Sequence, residues 1–233
     1  MNKLIPLLIL FSTIGFAQVL SDIRIDESKL IQWKTENINN YEGSYNFGFS
    51  EGESKVTFVI QGGIICAQLS YHEWSSNTKN GWLPKYKNYT NVRIKDNKFF
   101  SKESNGEFVF YEGRKCLKLE NPHIQMGEEG EYELGEKSIN KLSDEQRGKY
   151  NYTFYKIVNE NELKALSLKE LQIMRNEIFA RYHYIFKKGG EMDIYFNKQD
   201  WYYGFNKDVN HLLTKLEKIN LMKIKKVETA KKN

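Results

Sequence analysis

The sequence predicts an α+β fold: an N-terminal antiparallel β meander, closing as a barrel or a sandwich, followed by a small, mainly α-helical C-terminal domain. Three observations carry this. Short runs of alternating apolar and polar residues, broken by glycine-bearing turns, fill residues 41–119. No helical period separates those runs, so neighbouring strands are expected to be antiparallel. From Asn159 onward the apolar spacing changes to threes and fours. Aromatic residues make up 14% of the 233-residue chain, including 15 Tyr, and such residues pack well across strands.

The first element reads as a leader. Lys3 supplies a positive start, Leu4 to Phe16 is apolar, and Gly15 and Ala17 are the small residues that a signal peptidase pocket accepts. Cleavage is expected after Ala17, making residues 1–17 a signal peptide and placing the mature chain in the periplasm or outside the cell. The apolar run is shorter than the ~20 residues a membrane span requires, and no later segment is long and apolar enough. No transmembrane span is therefore expected.

Residues 18–158 are expected to form the β domain. Its strands fall at 41–49, 55–60, 64–71, 90–94, 98–101, 107–111 and 115–119, with Tyr150 to Val158 as a returning last strand. The breaks carry turn chemistry at Glu51-Gly52-Glu53, Gly62-Gly63, Asp96-Asn97, Asn105-Gly106 and Glu112-Gly113. The two-residue Gly62-Gly63 link is the strongest hairpin signal. Residues 121–140 are acidic and contain glycine, and read as a loop. Cys66 and Cys116 are the two cysteines. By alternation both fall on the polar faces of their strands. If those strands are neighbours, an oxidising compartment permits a disulfide; two unpaired thiols are the alternative. Two thiolates alone do not complete a tetrahedral zinc site, and no metal site or cofactor is expected.

Residues 159–233 are expected to form the helical domain. Ser167-Leu168-Lys169-Glu170 is a capping box. Leu171, Met174, Ile178 and Tyr182 follow on one stripe, and Glu177 and Arg181 lie four apart, spaced for an ion pair. Gly189-Gly190 marks a break, Met192 to Phe196 a short helix, and Asp208 the start of a final helix through about Lys225. Charge is uneven: residues 18–159 carry 19 basic against 20 acidic side chains, residues 160–233 carry 15 against 10. Lys223, Lys225, Lys226, Lys231 and Lys232 make the tail basic. Such a tail suits an anionic polymer or headgroup, and equally a solvated helix end whose lysines complement the dipole.

The run Leu171-Gln172-Ile173-Met174-Arg175-Asn176-Glu177-Ile178-Phe179-Ala180-Arg181-Tyr182-His183-Tyr184-Ile185-Phe186 resembles the signature of the YARHG domain family. The likeness continues through Tyr195-Phe196 and Trp201-Tyr202 and ends at Leu216-Glu217-Lys218-Ile219-Asn220-Leu221. Phe179 stands where the family motif has Tyr, Tyr182 where it has His, and His183 where it has Gly. The resemblance implies a compact, mostly helical module on exported bacterial proteins, and carries no assigned activity.

Chemistry-bearing motifs are otherwise sparse. His72-Glu73 lacks the second histidine of a zinc-protease helix, and no nucleophile elbow, P-loop or dinucleotide fingerprint occurs. The chain is therefore expected not to be an enzyme, and no nucleic-acid partner is expected. Arg175, Asn176, Arg181, Trp201 and Tyr202 are the candidate ligand-binding residues, because they cluster polar and aromatic groups in the signature region. The leading expectation is an exported binding module of the cell envelope or exterior, contacting a cell-wall polymer, a glycan or an envelope protein. A lipocalin-like small-ligand carrier and a cell-wall hydrolase are the alternatives.

Overall fold

The computed structural model describes residues 25–48, 53–76, 81–120 and 132–232. The leader at residues 1–17 and most of the acidic stretch after residue 120 lie outside the described residues. Within them, ten strands form one antiparallel sheet: β1 (Leu30–Gln32), β2 (Gly43–Phe47), β3 (Ser54–Gln61), β4 (Ile64–Trp74), β5 (Trp82–Asn88), β6 (Arg93–Lys95), β7 (Lys98–Phe100), β8 (Asn105–Tyr111), β9 (Arg114–Glu120) and β10 (Tyr132–Lys137). The spatial order is β5-β4-β3-β2-β10-β9-β8-β7-β6, with β1 added beside β8. Two meanders are thus joined where β10 pairs with β2. The path ends at β5 and at β6, so the sheet is open and does not close as a barrel.

The sheet curls strongly instead. Phe58 of β3 meets Phe99 of β7 with ring centroids 5.1 Å apart, although five strand-to-strand steps separate them in the sheet. Tyr41 stacks on Phe108 at 4.1 Å, and Trp33, Tyr45 and Leu117 fill the remaining concave space. Tyr41 donates its hydroxyl to the Trp33 carbonyl at 2.7 Å, and Tyr45 donates to the Tyr41 carbonyl at 2.9 Å. The rings therefore bury apolar area without stranding a polar atom. The concave interior is filled by the protein's own side chains.

The Gly62-Gly63 turn is as expected. Both residues have positive φ, at 56° and 77°, and join Gln61 and Ile64 as a paired hairpin end. Three strands were not legible. β1 is three residues long. β5 contains Pro84, which an edge strand tolerates because the missing N–H can face outward. β10 falls inside the stretch expected to be a loop, yet it is the central strand joining the two meanders. Its Glu136 is paired with Arg114 of β9 at 3.0 Å. Asn105-Gly106, expected as a turn, opens β8.

The helical part comprises α1 (Leu142–Glu145), α2 (Glu160–Ala165), α3 (Leu168–Ala180), α4 (Glu191–Phe196) and α5 (Lys215–Lys232). The expected strand at Tyr150 to Val158 is instead a turn of 3-10 helix (Asn151–Thr153) and its flanks. Its side chains split between two layers: Tyr150 and Val158 join the helical core, while Phe154 packs with Leu142, Val59 and Leu216 against the sheet. The Ser167–Glu170 capping box forms as expected, and the stripe Leu171, Met174, Ile178, Tyr182 is buried. The last helix starts at Lys215 rather than Asp208. Thr214 accepts from the Glu217 N–H at 3.2 Å and Glu217 accepts from the Thr214 N–H at 3.0 Å, a second capping box.

The helical part packs on the convex face of β3 and β4, and residues Ile25 and Leu30 cover the convex face of β8 to β10. Cys66 and Cys116 are consequently buried, although alternation places them on the outward side. Both are free. Strands β4 and β9 have β3, β2 and β10 between them, so the neighbouring-strand condition for a disulfide is not met.

Candidate functional site

The signature residues sit at the C-terminal end of α3, where the helix meets the sheet. Arg181 donates from Nη2 to Thr153 Oγ1 at 2.8 Å and to Glu217 Oε1 at 3.3 Å, and its Nη1 lies 3.5 Å from Glu177 Oε1. Its side chain is 6% exposed, against 1% for Glu177 and 0% for Glu217. The expected ion pair is therefore present, as part of a buried triad. Burial raises the Glu177 carboxyl above the ordinary range, opposed by Arg181 and by the Tyr150 N–H, which donates to it at 2.8 Å. Gly148 makes this enclosure possible: a Cβ there would stand 2.3 Å from Glu177 Cδ, and its φ is +106°.

Tyr182 reaches from the module to the sheet. It donates to Glu217 Oε2 at 2.6 Å and accepts from Gln68 Nε2 of β4 at 3.1 Å. Gln68 also donates to the Leu212 carbonyl at 2.9 Å, and Asn88 of β5 donates to the same carbonyl at 2.9 Å. The Tyr86 ring stands edge-on to Tyr182 at 4.9 Å. His183 occupies the tight turn, with φ 59°, the place where glycine is least strained. Its Nδ1–H donates to the Tyr203 carbonyl at 3.0 Å, and its ring stacks on Phe205. Burial pushes its pKa down to about 4, so the ring is neutral.

Between the convex sheet face and the module lies a cleft of about 870 Å³. Ser70, His72, Pro84 and Tyr86 line its sheet wall; Arg147, Arg181, His183 and Trp201 line the other side. Arg181 Nε has no hydrogen-bond acceptor among the described residues, which leaves donor capacity beneath the cleft floor. At the far end Ser44 donates to Glu145 Oε2 at 2.6 Å and Lys55 pairs with the same carboxylate at 3.2 Å, tying α1 to the sheet. The sheet wall continues outward. His72 faces Pro84 and Trp74 faces Trp82 across β4 and β5, so all four share one face. Trp74 is 67% exposed and meets Trp82 edge-on at 5.6 Å.

Of the candidate residues, Arg181 and Trp201 share this cleft. Arg175 instead holds Glu228 of α5 through Nε at 2.9 Å, and Asn176 donates to the Gln172 carbonyl at 2.7 Å. Both border a separate hollow of about 370 Å³ beside α4. Tyr202 is buried with Phe186 and Phe196 and donates to the Tyr184 carbonyl. Pro84 and Tyr86 escaped the sequence reading because β5 did; His72 and Trp74 lie past Tyr71, where β4 was expected to end, and His72 was weighed only as half of a zinc-protease motif. The signal was present in the alternation of Trp82, Pro84, Tyr86 and Asn88. Among the described residues no three His, Cys, Asp or Glu side chains are grouped to hold a metal ion.

No curated protein and no solved structure matches the chain. The C-terminal part does match a family model. Residues 150–229, which begin at Tyr150 beside the buried triad and run almost through α5, match the model of the YARHG domain.

Proposed function

We propose that this is an exported, non-enzymatic binding protein of the bacterial envelope or exterior, and that the cleft between the sheet and the YARHG domain takes a cell-wall glycan. YARHG domains are typical of extracellular and periplasmic proteins, and no helix among the described residues is long and apolar enough to cross a membrane. The observation that carries the reading is the cleft's composition. Aromatic side chains (Tyr86, Trp201, and Trp74 with Trp82 beyond) and hydrogen-bonding groups (Ser70, His72, Arg147) line it together. Sugar rings present apolar faces and polar edges, and this mixture suits both.

A hydrolase is less well supported. The Ser44 hydroxyl, behind Glu145, is fully buried and engaged by Glu145 and Thr57. Retention on insoluble purified peptidoglycan tests the proposal. Wild-type protein is expected to be retained, with Trp201→Ala and Trp74→Ala each weakening retention about 10-fold, which corresponds to about 1.4 kcal/mol. Absence of retention, or retention indifferent to both substitutions, contradicts it.

A further inference from the structure

A second concavity, of about 1070 Å³, lies on the other side of the module, at the seam where the open sheet fails to close. The chain crosses from edge strand β5 to edge strand β6 there, and Tyr89 N donates to the Ala67 carbonyl at 2.9 Å to hold the crossing. The groove has an apolar bed that includes Ile64, Ile65, Ile94 and Leu213. Its charged residues are Arg93 and Lys95 on β6 and Lys215 and Lys218 on α5. No Asp or Glu lines it. None of the four cations has an ion-pair partner among the described residues.

The placement of two of these cations works against local electrostatics. Lys215 and Lys218 stand in the first turn of α5, at the positive pole of an 18-residue helix, where acidic side chains are favoured and cations are not. Arg93 and Lys95 line the same groove from a different element. Four unpaired cations beside an apolar bed are complementary to a hydrocarbon chain that ends in an anion. We propose that the seam groove binds a free single-chain anionic lipid, its chain on Ile64, Ile65 and Ile94 and its head group among Arg93, Lys95, Lys215 and Lys218. This site is separate from the glycan cleft and does not depend on it.

Calorimetric titration of the full chain with dodecanoate, below the concentration at which it forms micelles, tests the proposal. Saturable one-to-one binding is expected, weakening as salt is raised. The charge reversals Lys215→Glu with Lys218→Glu, and separately Arg93→Glu on β6, are each expected to weaken it at least about 10-fold with the thermal transition of the protein preserved. Dodecyltrimethylammonium, with the same chain and the opposite head, is expected not to bind, and neither is inorganic phosphate. Trp201→Ala is expected to leave dodecanoate binding unchanged. Equal binding of the cationic amphiphile, or indifference to both reversals, overturns the proposal; the basic residues then only guard an open sheet edge. Binding to phosphatidylglycerol vesicles without binding of dodecanoate also overturns it, in favour of a membrane-facing surface.

Discussion

At the residue scale, Arg181 joins Thr153, Glu177 and Glu217 in the module's buried polar interior. Its spacing from Glu177 suggests an ion pair; the second carboxylate, Glu217, is 36 residues further on and invisible to any local pattern. Removing the guanidinium leaves two buried carboxylates without their cation. Arg181→Ala is therefore expected to lower unfolding free energy by about 3–5 kcal/mol, read from chemical denaturation, and a loss under 1 kcal/mol would show that the triad is dispensable. His183 supplies a pH dependence of defined sign. Its folded pKa is depressed to about 4 from 6.5, so in acid the unfolded chain takes up the proton first. Its contribution is complete above about pH 6.5 and is lost as pH falls toward 4, by about 3 kcal/mol at most. The raised carboxyl of Glu177 works in the opposite direction, because the fold binds that proton more readily. Comparison with His183→Asn, which keeps a residue tolerant of positive φ, isolates the histidine: the variant's acid slope is expected to be shallower. An unchanged slope argues against a neutral buried ring. The thiols offer a third check. Burial pushes Cys116 up to about 11 and raises Cys66 as well. Native protein is expected to react slowly with a thiol reagent, and unreduced unfolded protein to release two thiols. Finding none on unfolding would mean a disulfide after all.

At the scale of elements, what the sequence made legible was what local chemistry decides. The Gly62-Gly63 hairpin, the Ser167 capping box and the buried stripe of α3 each follow from residues within a few positions of one another. β10 did not, because its acidic, glycine-containing run acquires strand character only through pairing with β2 and β9, partners some 90 and 15 residues away. The residues after Tyr150 alternate like a strand but meet two layers at once, the helices on one side and the sheet on the other, and a turn serves both. α5 was placed seven residues early because Val209, Leu212 and Leu213 continue its apolar spacing, whereas Thr214 and Glu217 carry the capping signal. That cap gives a prediction: Thr214→Ala is expected to cost about 1–2 kcal/mol in denaturant unfolding, and a neutral effect would mean that the helix start is fixed by packing alone.

At the scale of the whole molecule, the candidate site was half legible. Arg181 and Trp201 came from the signature region, but the opposite wall belongs to β4 and β5, and only the docking of the helical module on the convex sheet face brings the two together. Burial of Cys66, the reach of Tyr182 to Gln68 and the shared Leu212 carbonyl all follow from that docking, and so does the existence of the cleft. A double-mutant cycle between Gln68 and Tyr182 measures it directly. With Gln68→Ala, Tyr182→Phe and the double variant, denaturant unfolding is expected to remain a single transition with a coupling of about 0.5–3 kcal/mol. Additive effects within about 0.3 kcal/mol, together with separate transitions for sheet and module, would contradict a domain seated on the sheet.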